Sequence, residues 1–148
     1  MSDNILVDTN VLVYAYDRSE PHKQAQAIRV LDRLAATSLG VLSTQVLAEF
    51  FVTVTRKITA PMTVEQAHTS VENYLASWPV LDMTGLIVLE AARGVRDYQF
   101  SYYDAQIWAA ARLNQVPLVF SEDFNPSKIE GIQFVNPFDP AFNLEDWC

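Results

Sequence analysis

Four carboxylic acids stand where the edge of a sheet could collect them: Asp8, Glu49, Asp104 and Asp123. Asp8 ends the apolar run NILVD and is followed by Thr9 and Asn10. Asp123 lies three residues beyond PLVF, in FSEDF. Glu49 and Asp104 fall in early turns of two helical segments. If the four converge, each pair at about 4 Å repels by roughly 4 kcal/mol at an effective dielectric near 20. Protonation relieves that conflict. So does a magnesium or manganese ion, which prefers oxygen ligands. Carboxylates holding such an ion suit phosphate chemistry, because the ion activates water and stabilises the attacking and leaving oxygens. Zinc is not indicated: His22 and His68 are far apart on helix faces expected to be exposed.

Each acid also has a simpler reading. Asp8 can cap the following helix. Asp104 follows Ser101 by three residues, the spacing of a capping box. Asp123 can be a turn residue. Glu49 lies just off the apolar stripe of Val46, Leu47, Phe50, Phe51 and Val54, so a solvated helix flank is its default. The joint pattern raises the functional reading above these.

The elements that must position the acids follow from periodicity and caps. Strands are expected at 4–8, 40–43 (GVLS), 79–83 (PVLDM), 117–120 (PLVF) and 132–135 (IQFV). A short helix fits 10–17. A longer one from Pro21 to about Ala36 carries an apolar stripe of Ala25, Ile28, Leu31, Leu34 and Ala35. Thr44, Thr63, Thr84 and Ser101 are candidate caps for four more helices, reaching about Lys57, Ser77, Tyr98 and Asn114. Short apolar strands alternating with helices predict an α/β fold with a mostly parallel central sheet of about five strands, covered on both faces. Ligands of such sheets bind beyond the carboxyl ends of the strands. All four acids can reach that edge. No linker or repeat interrupts residues 1–148, so one domain is expected, with an irregular acidic tail from about 136.

Composition bounds the partners. A chain of 148 residues, half of them hydrophobic, can bury a core without disulfide or metal. The one cysteine, Cys148, excludes a disulfide framework and fits a reducing compartment. No segment resembles a secretory signal or a membrane span of roughly 18 apolar residues, so a soluble, cytoplasmic protein is expected. The net charge of −8 is unusual for a nucleic-acid binder, which normally shows a basic footprint. It fits a protein that concentrates carboxylates around cations, or one with a basic partner.

The blocks VDTNVLVYAY, STQVLAEFFV, SYYDAQIWAAA and LVFSEDF resemble, in order and spacing, the four motif blocks of the PIN domain family. The similarity is greatest to its short bacterial VapC-type toxins, and it spans Ile5 to Asp123. No single block is specific; four in sequence, each with its acid, are. The resemblance implies a three-layer α/β/α fold and a magnesium- or manganese-dependent endoribonuclease. It maps Asp8, Glu49 and Asp104 onto the family's acidic triad, and Asp123 onto the fourth acid. Ser121 stands where threonine is commoner. Asn10 and Ser121 match positions that support the acids or bound water, and Glu122 is an extra carboxylate easily mistaken for a ligand. By the same resemblance, Asp8 and Asp104 are the main metal ligands, with Glu49 and Asp123 completing the site.

The implied partners are an RNA substrate, a cognate antitoxin with a basic segment, and a second copy of the chain. The helix 63–77 and the one before it are candidates for a dimer face. Arg56 with Lys57, Arg93 with Arg96, and Arg112 are candidate RNA contacts, although solvated helix faces are the stronger reading of each. Phe50, Phe51, Trp108 and Phe120 are expected in the core. Tyr14 and Tyr16 flank the first motif, where one could meet substrate, although packing is the stronger reading of both. Two competing functions are a catalytically silent binding module of the same fold and a phosphatase using Asp8 as nucleophile. The second is weakened by Thr9 and Asn10 after Asp8 and by the lack of a lysine near the expected strand ends.

Overall fold

The computed structural model describes residues 3–124 and 128–148. The chain runs β1 (Ile5–Val7), α1 (Thr9–Tyr14), α2 (Pro21–Thr37), β2 (Gly40–Ser43), α3 (Thr44–Arg56) and α4 (Val64–Ser77). It continues β3 (Val80–Leu81), α5 (Gly85–Tyr98), α6 (Tyr102–Leu113), β4 (Leu118–Phe120), β5 (Lys128–Ile129) and β6 (Ile132–Val135). A short 3₁₀ turn over Leu144–Asp146 follows. The sheet has six strands in the order β3-β2-β1-β4-β6-β5. All pairs are parallel except β5 with β6. The expected α/β architecture is therefore present, with one more strand than anticipated.

Every residue of β1, β2 and β4 is buried, on both faces. That is the signature of inner parallel strands sandwiched by helices. The β6 strand alternates buried and half-buried, as suits its place beside the edge hairpin. The β5–β6 turn holds Glu130 and Gly131, both at positive φ. A two-residue hairpin loop favours that conformation because it matches the twist of the strands. The sequence reading missed β5, which is only two residues long.

Several local expectations shift. The α2 helix buries Ala27, Val30, Leu31 and Leu34, whereas Ala25, Ile28 and Ala35 face solvent. The anticipated stripe was rotated, since alanines fit either face of an amphipathic helix. Ser43, not Thr44, caps α3 and accepts from the Val46 amide. Thr44 instead accepts from the Met83 amide, tying α3 to the segment after β3. Thr63 forms a full capping box with Gln66, and Thr84 caps α5. Ser101 makes no side-chain cap bond, so the proposed Ser101–Asp104 box is not formed.

The tail from 136 forms turns and the short 3₁₀ turn, yet it packs against the core. Leu144 is fully buried, and Phe138 and Phe142 pack on Tyr14 and Phe120. Phe50, Trp108 and Phe120 lie in the core as expected, with Phe51 half-buried. Among the described residues, no helix is long and apolar enough to cross a membrane.

Candidate active site

The site grows from one topological fact. The chain leaves β1 toward β2 and β3 on one side, then returns to lay β4 on the other. The β1/β4 boundary is thus a switch point, where crevices open beyond the carboxyl ends of the strands. The pairing Val7↔Phe120 aligns the two ends. The Asp8 amide donates to the Phe120 carbonyl at 2.9 Å, so Asp8 and Ser121 emerge side by side.

Asp8 is only 6% exposed. One carboxylate oxygen accepts from the Thr9 amide at 2.7 Å, giving the cap expected of it. The other accepts from the Ser121 hydroxyl at 2.8 Å. Ser121 Oγ in turn accepts from Asn10 Nδ2 and from the Asp123 amide, both at 3.2 Å. Asn10 Nδ2 also donates to Asp123 Oδ2 at 3.2 Å, while Asn10 Oδ1 accepts from the Glu122 amide. Asp8, Asn10, Ser121 and Asp123 therefore form one hydrogen-bonded cluster.

Glu49 enters from the second turn of α3. Its Oε2 accepts from Thr9 Oγ1 at 2.8 Å and its Oε1 from Gln45 Nε2 at 3.2 Å. Both oxygens are held, so Glu49 is not the freely solvated flank that was its default reading. Asp104, half-buried in the first turn of α6, joins through charge. Burial pushes the Asp8 carboxyl up to about 6, against the opposing bonds from Ser121 and Thr9. The nearby charges of Asp104 and Glu49 add to the rise.

No salt bridge among the described residues reaches Asp8, Glu49, Asp104 or Asp123. Nor are three Asp, Glu, His or Cys side chains among them drawn close enough to form a ready ion cage. The structure thus brings the four acids to one edge without closing them on a common point. Glu122 turns away: its carboxylate takes Lys23 at 2.6 Å and the Tyr14 hydroxyl at 2.6 Å. Tyr16 is likewise occupied, by Tyr74 at 3.2 Å.

Sequence reasoning missed three supports: Thr9, Gln45 and Gln106. Gln106 Nε2 donates to Gln45 Oε1 at 2.8 Å, and both glutamines are buried. The available signal was a pair of amides on otherwise apolar helix faces, since buried polar groups demand partners. Three candidate RNA contacts are reassigned. Arg93 binds Glu90 and Glu130, Arg112 binds Glu90 and Glu130, and Arg96 binds Asp97. Arg56 and Lys57 stay exposed, and Lys57 lines the groove beside Glu49.

A sheet covered on both faces, with carboxylates set around its switch point, defines an α/β protein whose ligand site lies at the carboxyl edge. The PIN domain family model matches residues 5–132, and the chain belongs to that family. No curated protein sequence matches the chain. Solved structures share the fold. A toxin–antitoxin complex from Klebsiella pneumoniae aligns with a TM-score of 0.66 at 17% identity, over 92% of this chain and 99% of that one. VapC20 of Mycobacterium tuberculosis, a toxin that cleaves the sarcin–ricin loop, aligns at 0.62 and 18% identity, over 81% and 92%. The DNA-bound VapBC of Salmonella typhimurium aligns at 0.63 and 21% identity, over 90% and 98%.

Proposed function

We propose that this protein is a magnesium- or manganese-dependent endoribonuclease, acting in the cytoplasm as the toxin of a toxin–antitoxin pair. The observation that carries the reading is Asp8: a buried carboxylate at the sheet's switch point, beside the charges of Glu49 and Asp104, with no ion pair to it among the described residues. The likeness to a toxin that cleaves the sarcin–ricin loop supports the substrate class.

The donor set fits a hard divalent ion. It is all oxygen, it is uncompensated, and its acids are spaced rather than fused. Magnesium keeps several waters and is commonly held by one or two carboxylates. Asp8 and Asp104 would hold it, with Glu49 and Asp123 completing the site. When bound, the ion supplies a strong nucleophile from water and charge stabilisation for the leaving oxygen.

The chain's own residues do the positioning. Ser121 and the Thr9 amide fix both oxygens of Asp8. Thr9 Oγ1 and Gln45 fix both oxygens of Glu49. Asn10 holds Asp123 and, through its carbonyl, the strand-end loop. Hydrolysis forms a bond from the water oxygen to phosphorus and breaks the bond from phosphorus to the 3′ oxygen, which leaves with a proton as a hydroxyl. The RNA 2′-hydroxyl is not required.

A cognate antitoxin suits the acidic surface. Exposed Val64 and Leu75 lie on α4, one of the pair expected to face a second copy, which favours a homodimer. Leu86 and Leu89 of α5 are also exposed, so apolar surface is not confined to that pair.

The open spacing of the acids favours one second reading, a silent binding module of the same fold. Expression of the protein alone, with and without Asp8→Asn, followed by mapping of new RNA 5′ ends, separates the two. Discrete Asp8-dependent cuts are expected. Their absence, even with added magnesium or manganese, selects the binding module.

A further inference from the structure

A groove of about 850 Å³ opens beside Glu49, between α3, Met83 and the start of α6. Thr9, Gln45, Glu49, Lys57, Tyr103 and Gln106 are among its lining residues. Tyr103 immediately precedes Asp104 and is 64% exposed. Its ring meets that of Tyr102 edge to face at 5.3 Å, and its exposure leaves flat apolar surface that a base can reach.

The amide polarity at this groove is dictated by its neighbours. Glu49 Oε1 and the Tyr103 carbonyl can only accept, and each takes Gln45 Nε2 at 3.2 Å. Both hydrogens of the Gln45 amide are then spent. Its carbonyl must accept, and it does, from Gln106 Nε2 at 2.8 Å. The chain of donors therefore leaves Gln106 Oε1 as an acceptor with no partner among the described residues. Among them, no fully buried side-chain polar atom lacks a partner, so this oxygen lies within the small part of Gln106 that solvent reaches. The groove is the opening that Gln106 lines.

We propose that this groove is the seat of the nucleotide next to the cleaved bond, with Tyr103 stacking on its base and Gln106 Oε1 accepting from an exocyclic amino group of that base. The inference rests on the ribonuclease reading for the word "cleaved", but the nucleotide seat itself does not depend on catalysis. Aromatic stacking tolerates any base. A fixed acceptor at that point of the base edge supplies choice, because adenine and cytosine place an amino donor where uracil places a carbonyl oxygen, which Gln106 Oε1 repels. Lys57 at the same groove offers a cation to a neighbouring phosphate.

The test uses the full chain in chelator, so that no cleavage occurs, with fluorescein-labelled hexanucleotides of A, C or U read by anisotropy. Oligo-A and oligo-C should bind several-fold tighter than oligo-U. Tyr103→Ala should weaken binding roughly tenfold or more, and Tyr103→Phe should restore it. Gln106→Leu should erase the difference between oligo-A and oligo-U while retaining binding to both; a thermal melt checks its fold. Equal affinity of Tyr103→Ala and the parent chain would overturn the seat, and so would failure of all three oligonucleotides to bind. Loss of hexa-arginine binding in Tyr103→Ala, without loss of oligonucleotide binding, would assign the groove to a peptide instead. Binding with the expected preference but no cleavage on adding manganese would leave the seat standing and remove the ribonuclease reading.

Discussion

The Ser121 hydroxyl donates to Asp8 Oδ2 at 2.8 Å while accepting from Asn10 Nδ2 and from the Asp123 amide. A hydroxyl has one donor and two acceptor sites, and here all three are used in a fully buried residue. Ser121 is the joint between the first and last acids of the site.

Removing that joint should be felt in both stability and activity. Ser121→Ala leaves Asp8 and Asn10 each short of a partner, at a cost of about 1–3 kcal/mol. Denaturant melts should show the loss, and cleavage should fall by more than unfolding at the assay temperature explains. A variant as stable and as active as the parent would remove Ser121 from this role.

Asp8 should destabilise the ion-free protein at neutral pH. Its carboxyl titrates near 6 in the fold against an ordinary value of 3.8. Between those values the unfolded chain loses its proton first, so stability falls as pH rises from about 4 to about 6. At full ionisation the penalty is about 3 kcal/mol. Asp8→Asn gives up one of the two bonds its oxygens accept. It should abolish cleavage, while its thermal midpoint in chelator, relative to the parent, is higher at pH 7.5 than at pH 4. A difference from the parent that does not shift in the variant's favour between pH 4 and pH 7.5 would contradict the assigned burial cost.

Divalent ions should relieve the same strain. Magnesium or manganese at 100 times its dissociation constant adds about 2.7 kcal/mol by mass action. A rise in thermal midpoint is expected for the parent chain, a reduced rise for Asp104→Asn, and none for Asp8→Asn. Calorimetric titration that detects no ion binding to the parent would exclude the metal site.

Arg93 belongs to structure rather than to RNA. Its guanidinium reaches Glu90 at 2.7 Å and Glu130 at 2.8 Å. The bond from Arg93, then that from Tyr98, brings the Glu130 carboxyl down to about 2 from 4.5. Its contribution is thus fully present above about 4.5 and is lost as pH falls through about 2. The difference in thermal midpoint between parent and Arg93→Ala should shrink on acidification, while oligonucleotide affinity at neutral pH stays the same. A large loss of RNA affinity would return Arg93 to the binding surface.

Gly40 should tolerate no side chain. A methyl group there would land within the Trp78 ring, at the buried start of β2. Gly40→Ala should cost about 1–3 kcal/mol by overpacking, and Trp78→Leu should recover part of it. An unchanged melt of Gly40→Ala would show that the ring moves freely.

Read alone, the sequence determines which acids stand at strand and helix ends, and in what order. The runs ILV, GVLS and LVF carry enough apolar character to mark strands buried on both faces, while IQFV alternates as a strand with one half-open face. Caps such as Thr63 with Gln66 are local, so their residues announce them. The α2 face was misjudged because alanine is indifferent to burial, and β5 was missed because two residues carry no period.

Only the tertiary structure decides which strand lies beside which. No local rule places β4 next to β1, yet that pairing sets Asp8 against Ser121 across 113 positions of chain. It also decides the fate of each charge. Glu122 and Asp123 are adjacent in sequence, but Glu122 pairs with Lys23 and Asp123 turns to Asn10. Neighbours in the chain point to different surroundings, and a side chain's chemistry follows its surroundings. The Gln45–Gln106 relay is of the same kind: two unremarked amides acquire a direction only when Glu49 and the Tyr103 carbonyl leave them one way to bond.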